Sequence, residues 1–214
     1  MIFNTKTLSS PTNLFPERNV DITLSIPDWV AGELSLYPKH FPTHEDRMRM
    51  IIHFSKLNFE YGTGGPFAAG VFEQNTGKLI SIGVNIVVPS SCSSAHAEIM
   101  ALSIAQKKRE TFDLGGHGMA PHELVVNWRP CAMCYGAVLW SGVRSLVIAG
   151  SGKALEEITG FDEGPIHPDW KEELKKRNVN VIDNVLSEEA CKVFHAFTES
   201  NGFVYNPCRE SHIK

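Results

Sequence analysis

The sequence predicts an α/β domain: a mixed sheet with helices packed on both faces. Three observations predict it. Five short apolar runs read as strands, at about 66–73, 79–88, 122–128, 143–149 and 179–182. Helical patterns separate the last four of these runs, and strands that alternate with helices build a sheet enclosed between helical layers. The first two runs are joined only by the turn Asn75-Thr76-Gly77-Lys78, which makes them an antiparallel hairpin and the sheet mixed.

Residues 1–41 read as an N-terminal extension, and 42–214 as the domain with its C-terminal tail. Prolines 11, 16, 27, 38 and 42 prevent long regular structure at the N-terminal end. Leu24, Ile26, Trp29, Val30, Leu34 and Leu36 give the extension apolar side chains with which to pack on the domain. Thr43 is a good N-cap for a first helix, with Glu45 and Asp46 in its first turn and Met48, Ile51, Ile52, Phe54 and Leu57 on its apolar face. Tyr61-Gly62-Thr63-Gly64-Gly65 ends that helix, and the hairpin follows. Pro89 to Ser94 is a loop. A helix from about 95 to 109 carries His96 and Glu98 in its first turn. The glycine-bearing stretch 111–119 is a flexible connection, and Leu124-Val125-Val126 centres a buried strand. Pro130 opens the next helix at a favoured early position, with Cys131 and Cys134 one turn apart. A strand from Val143 to Ala149, a helix over 167–177, a strand at 179–182 and a helix from Ser187 to Glu199 complete the order. Ser187 is read as the cap of the last helix.

Composition narrows the function. The 214 residues are 43 % apolar, enough for one sizeable core. The net charge is −4, which gives no overall basic surface for phosphate backbones. The dense basic runs, Lys107-Lys108-Arg109 and Lys175-Lys176-Arg177, fall at helix ends, where cations complement the helix dipole. The five cysteines are odd in number and do not read as a disulfide framework, so a reducing cytoplasm is expected. No apolar run resembles a signal peptide or a membrane span.

The segments His96-Ala97-Glu98 and Pro130-Cys131-Ala132-Met133-Cys134 carry the chemistry. One imidazole and two thiolates are three ligands suited to zinc, and three protein ligands leave a fourth position open, as in catalytic sites. Alone, the C-x-x-C pair also fits a redox couple or a closed structural site. Ala-Met in the gap, without a neighbouring Gly-Pro, is unlike a thioredoxin-type pair. A closed site needs a fourth ligand, for which Cys92 is the tempting candidate; a small buried thiol is its commoner role. The order H-x-E then P-C-x-x-C is the signature of zinc-dependent nucleobase deaminases, in which the glutamate is a proton carrier and not a ligand.

The chain resembles the cytidine-deaminase-like zinc superfamily over nearly all of residues 43–207, and within it the bacterial guanine deaminases and s-triazine (ammeline-type) deaminases. Beyond the metal motif the resemblance rests on Gly64-Gly65-Pro66-Phe67, Gly83-Val84-Asn85, Trp140-Ser141-Gly142-Val143-Arg144 and Gly160-Phe161-Asp162-Glu163-Gly164-Pro165. It implies a three-layer α/β/α sandwich with a five-stranded sheet. It implies one Zn²⁺ per chain held by His96, Cys131 and Cys134, with Glu98 and Glu163 as proton carriers. It also implies a homodimer, in some relatives with an exchanged C-terminal segment. Many relatives have Glu before the Pro-Cys pair; here Asn127-Trp128-Arg129 stands there, which bears on the pocket rim and on substrate identity.

Around the substrate the expected residues are Asn85, Phe67, Ala97 and Asp162. Asn85 offers both a donor and an acceptor to a ring edge, or it bonds its own backbone in a turn. Phe67 stacks on the ring or fills the core. Asp162 faces the substrate or caps its own segment. Tyr205 closes the pocket or lies at a surface. The principal expectation is an enzyme releasing ammonia from guanine or a related aminated heterocycle, with no membrane partner. The rivals are a tRNA-editing adenosine deaminase, against which the acidic balance argues, and a zinc-binding protein without catalysis, in which Glu98 would have no purpose.

Overall fold

The computed structural model describes residues 22–206. In chain order the elements are α1 (Trp29–Leu34), α2 (His44–Glu60), β1 (Ala68–Glu73), β2 (Leu79–Val84), α3 (Val87–Ser90), α4 (Ala97–Arg109), β3 (His122–Val126), α5 (Ala132–Ser141), β4 (Ser145–Ile148), α6 (Ala154–Thr159), α7 (Trp170–Lys175), β5 (Asn180–Ile182) and α8 (Ser187–Glu199). The five strands form one sheet in the order β2-β1-β3-β4-β5. β1 is antiparallel to both β2 and β3, while β3, β4 and β5 run parallel.

That topology sets the site. Two antiparallel steps make β2 run in the same direction as β3. The helices that follow them, α4 and α5, therefore begin at the same edge of the sheet. A parallel pair such as β3 and β4 needs a crossover element between its strands, and α5 supplies it. One face of the sheet is covered by α2 and α8, with Met48, Ile51, Phe54 and Phe194 in its core. The other is covered by α4, α5 and α7, with Ala101, Ala105, Val138 and Leu174. This is the expected three-layer α/β/α sandwich with a mixed five-stranded sheet.

The capping box of α2 is complete: the Thr43 side chain accepts from the Asp46 N–H, and Asp46 accepts from the Thr43 N–H. Elsewhere the elements depart from expectation for local reasons. The second strand ends at Val84 and not at 88, because Asn85 turns the chain. Its Oδ1 accepts from the Val87 N–H at 3.4 Å, and Val87–Ser90 form α3 despite their strand-like composition. Pro130 precedes the N-cap of α5 instead of opening the helix; Cys131 is the N-cap. Ser187 is the first residue of α8, and Leu186, with φ of 59°, holds the N-cap position. Neither α1 nor α6 was expected: each has six residues, too few to show a helical period.

Of the N-terminal extension, residues 22–41 are described, and they add to the core. Val30 is fully buried, and the Phe41 N–H donates to the Gly77 carbonyl at 2.8 Å. Residues 1–21, and 207–214 of the tail, lie outside the described residues. Among the described residues no helix is long and apolar enough to cross a membrane.

Gly83 seats α4 on the sheet. A Cβ there would collide with backbone atoms of α4, the Ala97 carbonyl oxygen and the Ala101 nitrogen. Gly83→Ala is expected to cost about 1–3 kcal/mol, the scale of core overpacking. Urea unfolding measures it, and the same variant should bind zinc less tightly, since α4 carries His96.

Candidate active site

His96 is the N-cap of α4 and Cys131 the N-cap of α5, both with extended backbone; Cys134 lies one turn into α5. Each brings a ligand atom to within 4.8 Å of the other two. Cys131 Sγ stands 3.6 Å from His96 Nδ1. The group holds these three residues alone among the described His, Cys, Asp and Glu. Cys92, the tempting fourth ligand, instead pairs with the Ser94 hydroxyl at 3.2 Å. Helix starts expose free N–H groups and a positive dipole end, which favour thiolate over thiol.

Electrostatics make the same point. The Cys134 thiol donates to Cys131, and with His96 it holds the Cys131 thiol down at about 4. Giving up that proton is correspondingly hard for Cys134, which is pushed well up. Burial, then the Cys131 thiolate, pushes the Glu98 carboxyl up. Burial, then Cys131 and Glu98, pushes the Glu163 carboxyl up to about 8, against a downward pull from His96 and Arg129. Several acidic groups crowded in one buried place raise one another. A dication among them relieves that repulsion, so one imidazole, two sulfurs and this negative surplus fit zinc.

Beside the triad lies a cavity of about 140 Å³, lined among others by Phe67, Asn85, His96, Glu98, Arg129 and Glu163. Such a space suits one small ring system. Asn85 is almost wholly buried and is pinned through its backbone: the Asn58 side chain donates to its carbonyl at 2.8 Å, and its N–H donates to the Phe67 carbonyl at 3.0 Å. The Asn85 Nδ2 donates to the Tyr205 hydroxyl at 2.6 Å, so the described end of the tail lies over its own chain's site.

Phe67 serves both readings: it lines the cavity and packs edge-on against Phe161, ring centroids 5.1 Å apart. Asp162 lines the cavity and also caps its own segment, accepting from the Gly164 N–H at 3.0 Å. Ala97 is fully buried in the core between α4 and the sheet and is not one of the residues lining the cavity. Three contributors were given no individual role in the sequence. Asn206 holds the Glu163 segment by accepting from the Asp162 N–H and donating to the Gly160 carbonyl. Asn127 ties β3 to the start of β1 by accepting from the Ala68 N–H and donating to the Pro66 carbonyl. Ser93 completes the rim. The signal for Asn127 was a polar residue beside the metal motif, and for Asn206 its place in the tail next to Tyr205; for Ser93 there was none.

Comparison with known proteins agrees with this geometry. A model of the cytidine and deoxycytidylate deaminase zinc-binding region matches residues 42–150. Guanine deaminase of Bacillus subtilis is 28 % identical over 145 residues, 68 % of this chain and 88 % of the relative. A tRNA-specific adenosine deaminase of Buchnera aphidicola is 29 % identical over 156 residues, 73 % of this chain and 94 % of the relative. The solved guanine deaminase from Nitrosomonas europaea is 40 % identical, with a TM-score of 0.80, over 86 % of this chain and 100 % of that one. A solved complex with 2,6-diaminopurine is 42 % identical, with the same TM-score, over 86 % of this chain and 96 % of that one. The chain belongs to the cytidine and deoxycytidylate deaminase zinc-binding family and is a zinc-dependent hydrolytic deaminase.

Proposed function

We propose that this enzyme deaminates guanine to xanthine, or a closely related aminated heterocycle such as ammeline. The observation that carries the reading is a small cavity beside a zinc-type triad, lined by His96 of that triad, by the carboxyl groups of Glu98 and Glu163 and by the buried Asn85 amide. Similarity to guanine deaminases across most of the chain supports it.

His96, Cys131 and Cys134 would hold the zinc, which would lower the pKa of the attacking water. Every other step falls to the chain's own residues. Glu98 accepts a proton from the attacking water and delivers it to the ring nitrogen beside the carbon bearing the amino group. For guanine that carbon is C2, which becomes tetrahedral. Glu163 carries a proton from the new hydroxyl to the amino group, which leaves as ammonia. Asn85 holds the ring edge, Phe67 packs on the ring, and Asp162 keeps the Glu163 segment in place.

The test is ammonia release with guanine, ammeline, cytosine, cytidine, adenine and guanosine, with xanthine identified as the product from guanine. Turnover of guanine above all others is the expected result. Silence on guanine, with inosine formed in tRNA, would transfer the assignment to RNA editing.

The same reading includes a homodimer in the cytoplasm. Met133 and Trp140 on the outer side of α5 are 40 % and 86 % exposed, an apolar face suited to a second copy. Cys92, Cys131, Cys134 and Cys191 are all free thiols, which suits a reducing compartment. Sedimentation should give a dimer for the wild type and a monomer for Trp140→Glu.

A further inference from the structure

We propose that Arg129 reads the substrate: its guanidinium donates to an acceptor, an oxo oxygen or an unprotonated ring nitrogen, on the heterocycle being deaminated. This rests on the deaminase reading of the cavity and adds a specificity residue to it. Arg129 is only 7 % exposed, and its Nη1 is buried with no hydrogen-bond partner. Three side-chain polar atoms are in that state among the described residues, the others being Arg109 Nε and His122 Nε2. Arg129 is one of the residues lining the catalytic cavity. Its charge is felt by Glu163, whose carboxyl it pulls down.

A buried charged donor left unpaired is costlier than a neutral one, so such a group is retained where something else completes it. Here the completing group must be an acceptor, since a guanidinium has donors only. Of the other polar groups of the wall, Glu98 and Glu163 move protons, and Asn85, which also holds the ring edge, donates from Nδ2 to the Tyr205 hydroxyl. The position of Arg129 is fixed as well. Its N–H donates to the Gly150 carbonyl at 2.8 Å, and Pro130 alone separates it from Cys131. The backbone of Arg129 is thereby held beside the metal ligands, and from there a guanidinium that pairs with a ring acceptor orients the ring in the cavity. A ring that presents only amino groups there leaves the cation unpaired, and the site rejects it.

The experiment crosses two variants with three substrates. Zinc-loaded wild type, Arg129→Met and Arg129→Lys are assayed on guanine, on 2-aminopurine, which lacks the oxo oxygen, and on 7-deazaguanine, which lacks the five-membered-ring acceptor. On guanine, Arg129→Met should lose roughly 10–100-fold in kcat/KM, the scale of one hydrogen bond to a charged group. The loss should vanish on whichever analogue lacks the acceptor that Arg129 contacts. Arg129→Lys keeps the charge and should lose less, with the same substrate dependence; it carries the comparison if the methionine variant folds poorly. An equal loss on all three substrates, falling on kcat with a displaced pH profile, would mean that Arg129 acts only through Glu163 and would overturn the proposal. A wild type inactive on guanine would instead overturn the substrate assignment. The same cycle then runs with ammeline against melamine, its oxygen-free counterpart.

Discussion

Glu98→Ala should lower kcat by roughly 10²–10⁴-fold, the usual contribution of one general acid–base group, while zinc stays bound at one per chain. The two readouts separate because Glu98 stands beside the ligand group but is not part of it. Its carboxyl is buried near the triad and pushed up first of all by desolvation, which makes it a stronger base than an exposed glutamate. The base form does the work in the first step, so the wild-type rate should fall as pH drops through the Glu98 pKa. The alanine variant should lose that acid limb. Glu98→Gln keeps the shape and removes the proton carrier, so it should be as inactive as alanine. Metal analysis and single-turnover assays check both. Near-normal turnover in either variant, or loss of zinc in step with activity, would remove Glu98 from the proton path.

The parts of the site that could be read from the sequence are those where neighbours in sequence are neighbours in space. His96 and Glu98 flank a helix start, and Cys131 and Cys134 bracket another, so ligand types and spacing were visible without a fold. What brings the two starts together is sheet direction; the hairpin turn at Asn75–Lys78 implied the antiparallel step between β1 and β2, but the second step, between β1 and β3, joins strands distant in sequence and could not be read there. Glu163 was reached only by resemblance, since its segment has no regular structure and no period to read. The contact of Asn85 with Tyr205 joins residues 120 apart and follows from no local rule. Arg129 is a similar case. The sequence set it apart, but its burial and its unpaired Nη1 exist only once the cavity is closed. The fold was legible to a comparable degree. Thr43 and the acids after it marked α2, whereas α6 begins at a lysine without side-chain capping and ends after six residues.

A buried ion pair in the core was also invisible in the sequence, and it carries the second large effect. Glu123→Ala should destabilise the fold by about 3–5 kcal/mol, the range for removing one partner of a buried ion pair. Glu123 lies in β3 at 1 % exposure, inside an apolar strand, and Arg47 of α2 at 3 %. Arg47 Nη1 donates to Glu123 Oε1 at 2.5 Å. The guanidinium also donates from Nε to the Phe41 carbonyl at 2.9 Å and from Nη2 to the Gln74 carbonyl at 3.3 Å. His44 reaches the other carboxylate oxygen at 3.3 Å. One ion pair thereby ties the first long helix, the chain before it and the end of β1 to the central strand. Removing the carboxylate strands a buried cation with only carbonyl partners. Removing both charges does not, so Arg47→Met with Glu123→Leu should recover much of the loss. Urea unfolding of the three variants measures the cycle, and kcat on guanine should be nearly unchanged in the folded fraction, since neither residue lines the catalytic cavity. A cost under about 1 kcal/mol for Glu123→Ala would put this pair on a par with exposed surface bridges and remove its claim to hold α2 on the sheet.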